Sequence, residues 1–175
     1  MKRYLALALG VMAVLSTPVH AVDGYKDLKF GMSLKEVKES GYCDFIQEDS
    51  GQKGVDFLGC ANLKFSGDEV PAVAFFINDK LLRFGLEPSI DEVMGLMNAL
   101  ANKYGGVSSQ SDEQEFNAVD QYPNREAYIA FDNDTVVLKI ASDEYGNQGA
   151  LLMYTSPEYD IQLLKNQEKA FSDDL

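Results

Sequence analysis

The sequence predicts an α+β protein made of tandem units, each a helix followed by an antiparallel β-meander, with a further helix at the C-terminus. Three observations carry this prediction. Capping boxes at Ser33-x-x-Glu36 and Ser89-x-x-Glu92 introduce helix-like stretches at two places. Apolar runs of strand length fold back around short Asn/Asp turns at two others, Asn78-Asp79 and Asp132-Asn133-Asp134. These features also recur at nearly one spacing, 56 residues between the serines and 55 between the runs starting at Ala72 and Ala127.

In chain order, residues 1–21 read as a signal peptide. Lys2 and Arg3 precede an apolar stretch from Tyr4 to Leu15, and Val19 and Ala21 are small residues placed for cleavage between Ala21 and Val22. Twelve mostly apolar residues reach only about 18 Å as a helix, against a hydrocarbon core of about 30 Å, which argues for a cleaved leader over a membrane anchor. The new N-terminus is Val22 rather than Cys, which argues against a lipid anchor. The remaining chain, 22–175, is expected to be soluble in the periplasm, as one α+β domain over 22–171 with a frayed tail at 172–175. Its two repeats would span 22–86 and 87–155, followed by a helix at 157–171.

The first helix is expected to run from Ser33 to about Gly41. Val55, Phe57, Leu63 and Phe65 suit two short strands. Ala72–Ile77 and Leu81–Leu86 then form a hairpin around Asn78-Asp79, with Pro71 at a strand start where its missing donor costs little. From Ser89, Ile90, Val93, Met94, Met97, Leu100, Ala101 and Tyr104 recur at helical spacing up to a Gly105-Gly106 stop. Both methionines are expected in the core. Residues 107–125 read as a polar loop. A second hairpin, Ala127–Phe131 and Thr135–Ala141, and a strand at Ala150–Thr155 lead to the last helix, with Ser156 as N-cap and Pro157 at its first position.

The chain has 175 residues, 46% hydrophobic and 25% charged, with a net charge of −13. The apolar share excludes a disordered chain. Such an acidic surface repels phosphate backbones and anionic lipids, which argues against nucleic-acid binding. Cleavage after Ala21 removes two basic residues and His20, the single histidine, leaving a mature charge of −15. No imidazole then remains for a Ser-His-Asp or Cys-His nucleophile or a His-containing zinc site. Cys43 and Cys60 are the two cysteines, and in an oxidising compartment they are expected to pair. They lack the C-x-x-C spacing of a redox pair.

Two further matches underlie the repeat. Residues 30–37 read FGMSLKEV against FGLEPSIDEV at 84–93, and 72–79 read AVAFFIND against AYIAFDND at 127–134. An FG-x-S-x-x-E-V helix entry followed by a meander with an F-x-N-D-x-L-like turn resembles two exported families. One is the small-protein-A-type outer-membrane assembly lipoproteins. The other, in tandem form, is the β-lactamase inhibitor protein-like superfamily. The resemblance implies helix-plus-sheet units and a binding role, and it carries no individual functional residue.

No local pattern points to catalysis, a metal or a cofactor. Paired carboxylates carry no signal among 28 acidic residues. Asp132-Asn133-Asp134 lacks the glycine and distal glutamate of a calcium loop and reads as a turn. The expected function is therefore a non-enzymatic binding protein, an inhibitor or immunity protein acting on a basic envelope-acting protein. The alternative is an accessory component of envelope assembly, and a carboxylate- or metal-dependent enzyme ranks third. The densest acidic run, Asp112, Glu113 and Glu115, is the candidate partner-binding segment, and neutralising it is expected to leave folding nearly unchanged. Tyr122, Tyr145 and Tyr159, in or beside loops, are candidate contact residues or half-buried packing residues.

Overall fold

The Asn78-Asp79 hairpin forms as its sequence dictates. Both turn residues adopt positive φ, 54° and 55°, a geometry that Asn and Asp tolerate and that matches the strand twist. It joins β5 (Asp68–Ile77) to β6 (Lys80–Leu86), with Ile77 opposite Lys80. The computed structural model describes residues 22–174, with side chains to Ser172. The expected signal peptide at 1–21 lies outside the described residues.

A two-stranded hairpin, β1 (Gly24–Tyr25) and β2 (Leu28–Lys29), precedes α1 (Leu34–Glu39). Then come β3 (Ile46–Glu48), β4 (Asp56–Phe65), β5 and β6. A 3₁₀ turn at Ile90–Glu92 leads into α2 (Val93–Tyr104), followed by β7 (Val107–Gln110) and α3 (Glu113–Gln121). The chain closes with β8 (Arg125–Phe131), β9 (Val136–Ser142), β10 (Gln148–Thr155) and α4 (Tyr159–Asp174). The eight strands from β3 onward form one antiparallel sheet in the order β3-β4-β5-β6-β10-β9-β8-β7. Two meanders, β3–β6 and β7–β10, thus meet last strand to last strand at β6–β10.

Alternation along the strands sends Leu58, Ala74, Phe84, Phe131, Leu138, Leu152 and Tyr154 into the main core with Val37 of α1 and Val93 and Leu100 of α2. Tyr25 is buried there, stacked on Phe84 at 4.9 Å and tilted against Tyr154 at 5.4 Å. A smaller cluster, Val55, Ile77, Leu82 and Tyr159 with Leu163 against it, seats α4. Arg83 lies 3.7 Å above the Tyr159 ring.

Several expectations are corrected. Residues 56–65 form one strand rather than two short ones, with a register shift between Cys60 and Leu63. Asn62 in that bulge accepts from Asp44 N at 3.0 Å and donates to Asp44 Oδ2 at 2.7 Å, tying the irregular residues down. Pro71 is inside β5, not at its start. It lies where β4 bulges, between the pairs Leu63–Val70 and Cys60–Ala72, so its missing N–H breaks no regular ladder bond.

Ser33 caps α1 with a reciprocal Ser33–Glu36 box, but Ser89 makes no side-chain cap because the chain enters a 3₁₀ turn there. Met94 is 69% exposed rather than core, because it lines an open apolar concavity with Met97, Phe116, Ile129 and Ile140 instead of being covered. Residues 107–125 are not a loop but contain β7 and α3. The last helix starts at Tyr159, with Ser156 Oγ accepting from Glu158 N at 3.2 Å and Pro157 ahead of the helix. It continues to Asp174 through the expected tail. Tyr159 is buried, which removes it as a contact residue.

The matched segments AVAFFIND and AYIAFDND fall on β5 and β8, the third strand of one meander and the second of the other. Cys43 and Cys60 are joined in a disulfide, with their Cα atoms 6.2 Å apart. Among the described residues no helix is long and apolar enough to cross a membrane.

Candidate functional site

The acidic run Asp112, Glu113 and Glu115 opens a helix. Asp112 is extended at φ −76° and ψ 170°, and its carboxylate accepts from Glu115 N at 2.9 Å. Glu115 reaches back to accept from Asp112 N at 3.1 Å. Carboxylates at a helix N-terminus also face the positive end of its dipole. Two of the three residues therefore build the cap, so truncating Asp112 removes it, whereas neutralising the pair to Asn and Gln keeps acceptors at both positions. Glu113 sits in the same first turn, exposed, and outside the capping bonds.

Val119 is the one fully buried side chain of α3, and it seats the helix against β8 and β9. Ser142 Oγ donates to Tyr122 O at 2.7 Å just past the helix end and accepts from Arg125 N at 3.1 Å. That fixes the turn into β8 and presents Tyr122, 56% exposed, at the surface.

The β9–β10 loop is built around Asp143. Its Oδ1 accepts from Tyr145 N and Asn147 N, both at 2.8 Å, and its Oδ2 accepts from Asn147 Nδ2 at 2.8 Å. The Asn147 side chain, then the backbone amides of the loop, hold the Asp143 carboxyl below the usual aspartate range. The loop thrusts Tyr145 out to 81% exposure. Gln148 Nε2 donates to Asp120 Oδ1 at 2.9 Å, linking the loop's far end to α3.

Tyr122 lies between two shallow concavities of this end. One is lined by Asp112, Glu115, Ala118 and Glu126 and the other by Asp120, Glu144 and Tyr145. Carboxylates thus outnumber cations around the two exposed tyrosines, with Arg125 lining the first concavity and Lys139 paired to Glu126 at 2.7 Å. Sequence reading found the tyrosines and the α3 run but missed Asp120, Glu126 and Glu144. The signal that would have found them is charge by segment: residues 105–160 carry eleven acidic side chains and two basic ones.

A second surface is the sheet face away from α1 and α2. There Val73, Leu151 and Met153 lie over Gly85, within 3.1 to 3.6 Å of where its Cβ would stand. A larger residue at 85 would have to displace this half-buried apolar group. Ile46, on the edge strand β3, is 65% exposed. Among the described residues no three His, Cys, Asp or Glu side chains are gathered to hold a metal ion.

A Haemophilus influenzae protein described as "Uncharacterized protein" is similar to this chain, 30% identical over 176 aligned positions that cover the whole of both. No solved structure matches. A family model described as "Uncharacterised protein" matches residues 25–174, from the first hairpin through α4, and the chain belongs to that family.

Proposed function

We propose that this chain is an exported, non-enzymatic binding protein whose acidic end docks on a basic, envelope-acting protein as an inhibitor or immunity protein. The observation that carries the reading is the meeting of exposed Tyr122 and Tyr145 with the carboxylates of α3 and Glu144. Tyrosines supply large contact area at low entropic cost, and surrounding carboxylates speed encounter with a basic surface. Resemblance to the β-lactamase inhibitor protein-like superfamily and the Cys43–Cys60 disulfide, which suits an oxidising compartment, support it further.

The test is capture of envelope proteins on residues 22–175, elution by salt, and stopped-flow association with the recovered partner. The reading expects a basic partner whose on-rate falls severalfold between about 50 and 300 mM salt. Glu113→Gln with Glu144→Gln slows association without disturbing the cap, and Tyr145→Ala speeds dissociation. On-rates indifferent to salt and to the double substitution overturn it. They would favour the second reading, accessory envelope assembly, which the apolar group over Gly85 supports, and which predicts that Met153→Asp abolishes binding.

A further inference from the structure

Asp132 is the one carboxylate fully buried among the described residues, 7% exposed at the β8–β9 turn. Burial of a carboxylate is costly without a cationic partner or a full set of donors. Among the described residues no Lys or Arg forms an ion pair with it. Its Oδ2 accepts from Thr135 Oγ1 at 2.8 Å, but that hydroxyl is also 2.7 Å from Asp132 O and has one proton to give. The remaining donor comes from 110 residues away: Val22 N, 2.6 Å from Asp132 Oδ2. Val22 is half-buried, with its side chain against the main core.

Val22 is also the residue that the Val19-x-Ala21 pattern places just after the cleaved bond. Hydrolysis of the Ala21–Val22 amide adds one water. The carbonyl carbon of Ala21 gains the oxygen and departs as a carboxylate, and Val22 N keeps the bond's electron pair and takes up protons to become an ammonium. We infer that Asp132 is the receptor for this new α-ammonium, so that removal of the leader supplies the buried carboxylate with its cation. In the precursor the same nitrogen is a neutral amide with one proton. The mature pair is a charge-assisted hydrogen bond between the residue two places ahead of β1 and the β8–β9 turn of the eight-stranded sheet. Maturation would then tighten the fold.

The experiment compares exported protein from the natural gene with protein carrying one glycine inserted between Ala21 and Val22, intact mass fixing both N-termini. Asp132→Asn is made in each; Asn keeps an acceptor and tolerates the positive φ of 50° at this position. The inserted residue should lower Tm by about 3–8 °C with Asp132 present and by under about 1 °C with Asp132→Asn. Reductive ¹³C-methylation supplies a readout independent of stability. The Val22 amine should react several times more slowly than the lysines in the natural chain, and at the lysine rate once Asp132→Asn is made. Equal Tm loss from the glycine in both backgrounds, or an α-amine as reactive in the natural chain as in the variant, overturns the inference. So does a mature chain that does not begin at Val22.

Discussion

The two halves of the sheet share a plan and differ in how they are held and charged. The β3–β6 half is cross-linked: Cys43, ahead of β3, is joined to Cys60 in β4. Residues 22–104 carry fourteen acidic and nine basic side chains, a modest imbalance. The β7–β10 half has no disulfide. It inserts α3 between its first two strands, held by a cap, one buried valine and side-chain bonds to neighbouring turns. Over residues 105–160 eleven acidic side chains face two basic ones. One half is built for robustness, and the other carries the charge and the exposed tyrosines. Function on a rigid scaffold is commonly placed in this way, at loops and short elements beside a strongly held core.

Three experiments break or sharpen that contrast. The largest effect belongs to the disulfide. Cys43→Ser with Cys60→Ser should destabilise by about 3 kcal/mol, the chain-entropy value for a loop of this size, measured by urea unfolding. Amide exchange should quicken first in β3 and β4 and spare β8 and β9. Uniform quickening would mean the halves do not differ in local stability.

Asp112→Ala should cost about 1 kcal/mol by loss of the α3 cap, whereas Glu113→Gln in the same turn should stay within about 0.5 kcal/mol. Equal costs would show that the capping bonds are not what holds α3. The smallest effect concerns Asp143. Its folded pKa is depressed, so its support for the Tyr145 loop is complete above the ordinary aspartate range and is lost as pH falls through the depressed value. Exchange at Tyr145 and Asn147 amides should therefore rise at the acid end in the natural chain. Asp143→Ala should show the same loosening at neutral pH.

The β5–β6 hairpin and α2 were legible because their signals are local and strong. Asn78-Asp79 can take the left-handed conformation in succession, and the stripe through Val93 and Leu100 has one clear period ended by a glycine at φ 89°. Helix α3 escaped because one buried residue, Val119, seats it, too little for a hydrophobic period. Its start was nonetheless written in the sequence, since Asp112-x-x-Glu115 is a capping box with aspartate in place of serine. The same pattern misled at Ser89, where the path from β6 forces a 3₁₀ entry and leaves the hydroxyl without its bond. The exposure of Met94 could not be read from periodicity because it depends on the open concavity left between α2 and Phe116 of α3. Of the candidate site, the tyrosines were visible, and their company was not, because Asp120 and Glu144 are brought together only by the return of the β9–β10 loop to the end of α3.

The seam between the halves carries a consequence for the order of events as the chain emerges. β6 pairs with β10 between residues as far as 72 positions apart, Arg83 with Thr155. A chain delivered N-terminus first completes β3–β6 well before β10 exists. Until then the Arg83–Leu86 stretch of β6 stands as an open edge, a template for any other strand, while Leu81 is already bonded to Gly31 and Met32. The β6–β10 seam is thus a late long-range pairing and the point at which crowded, newly made chains would trade strands. Dilution or slower delivery should improve the yield of correctly folded protein more than any change to the surface charge.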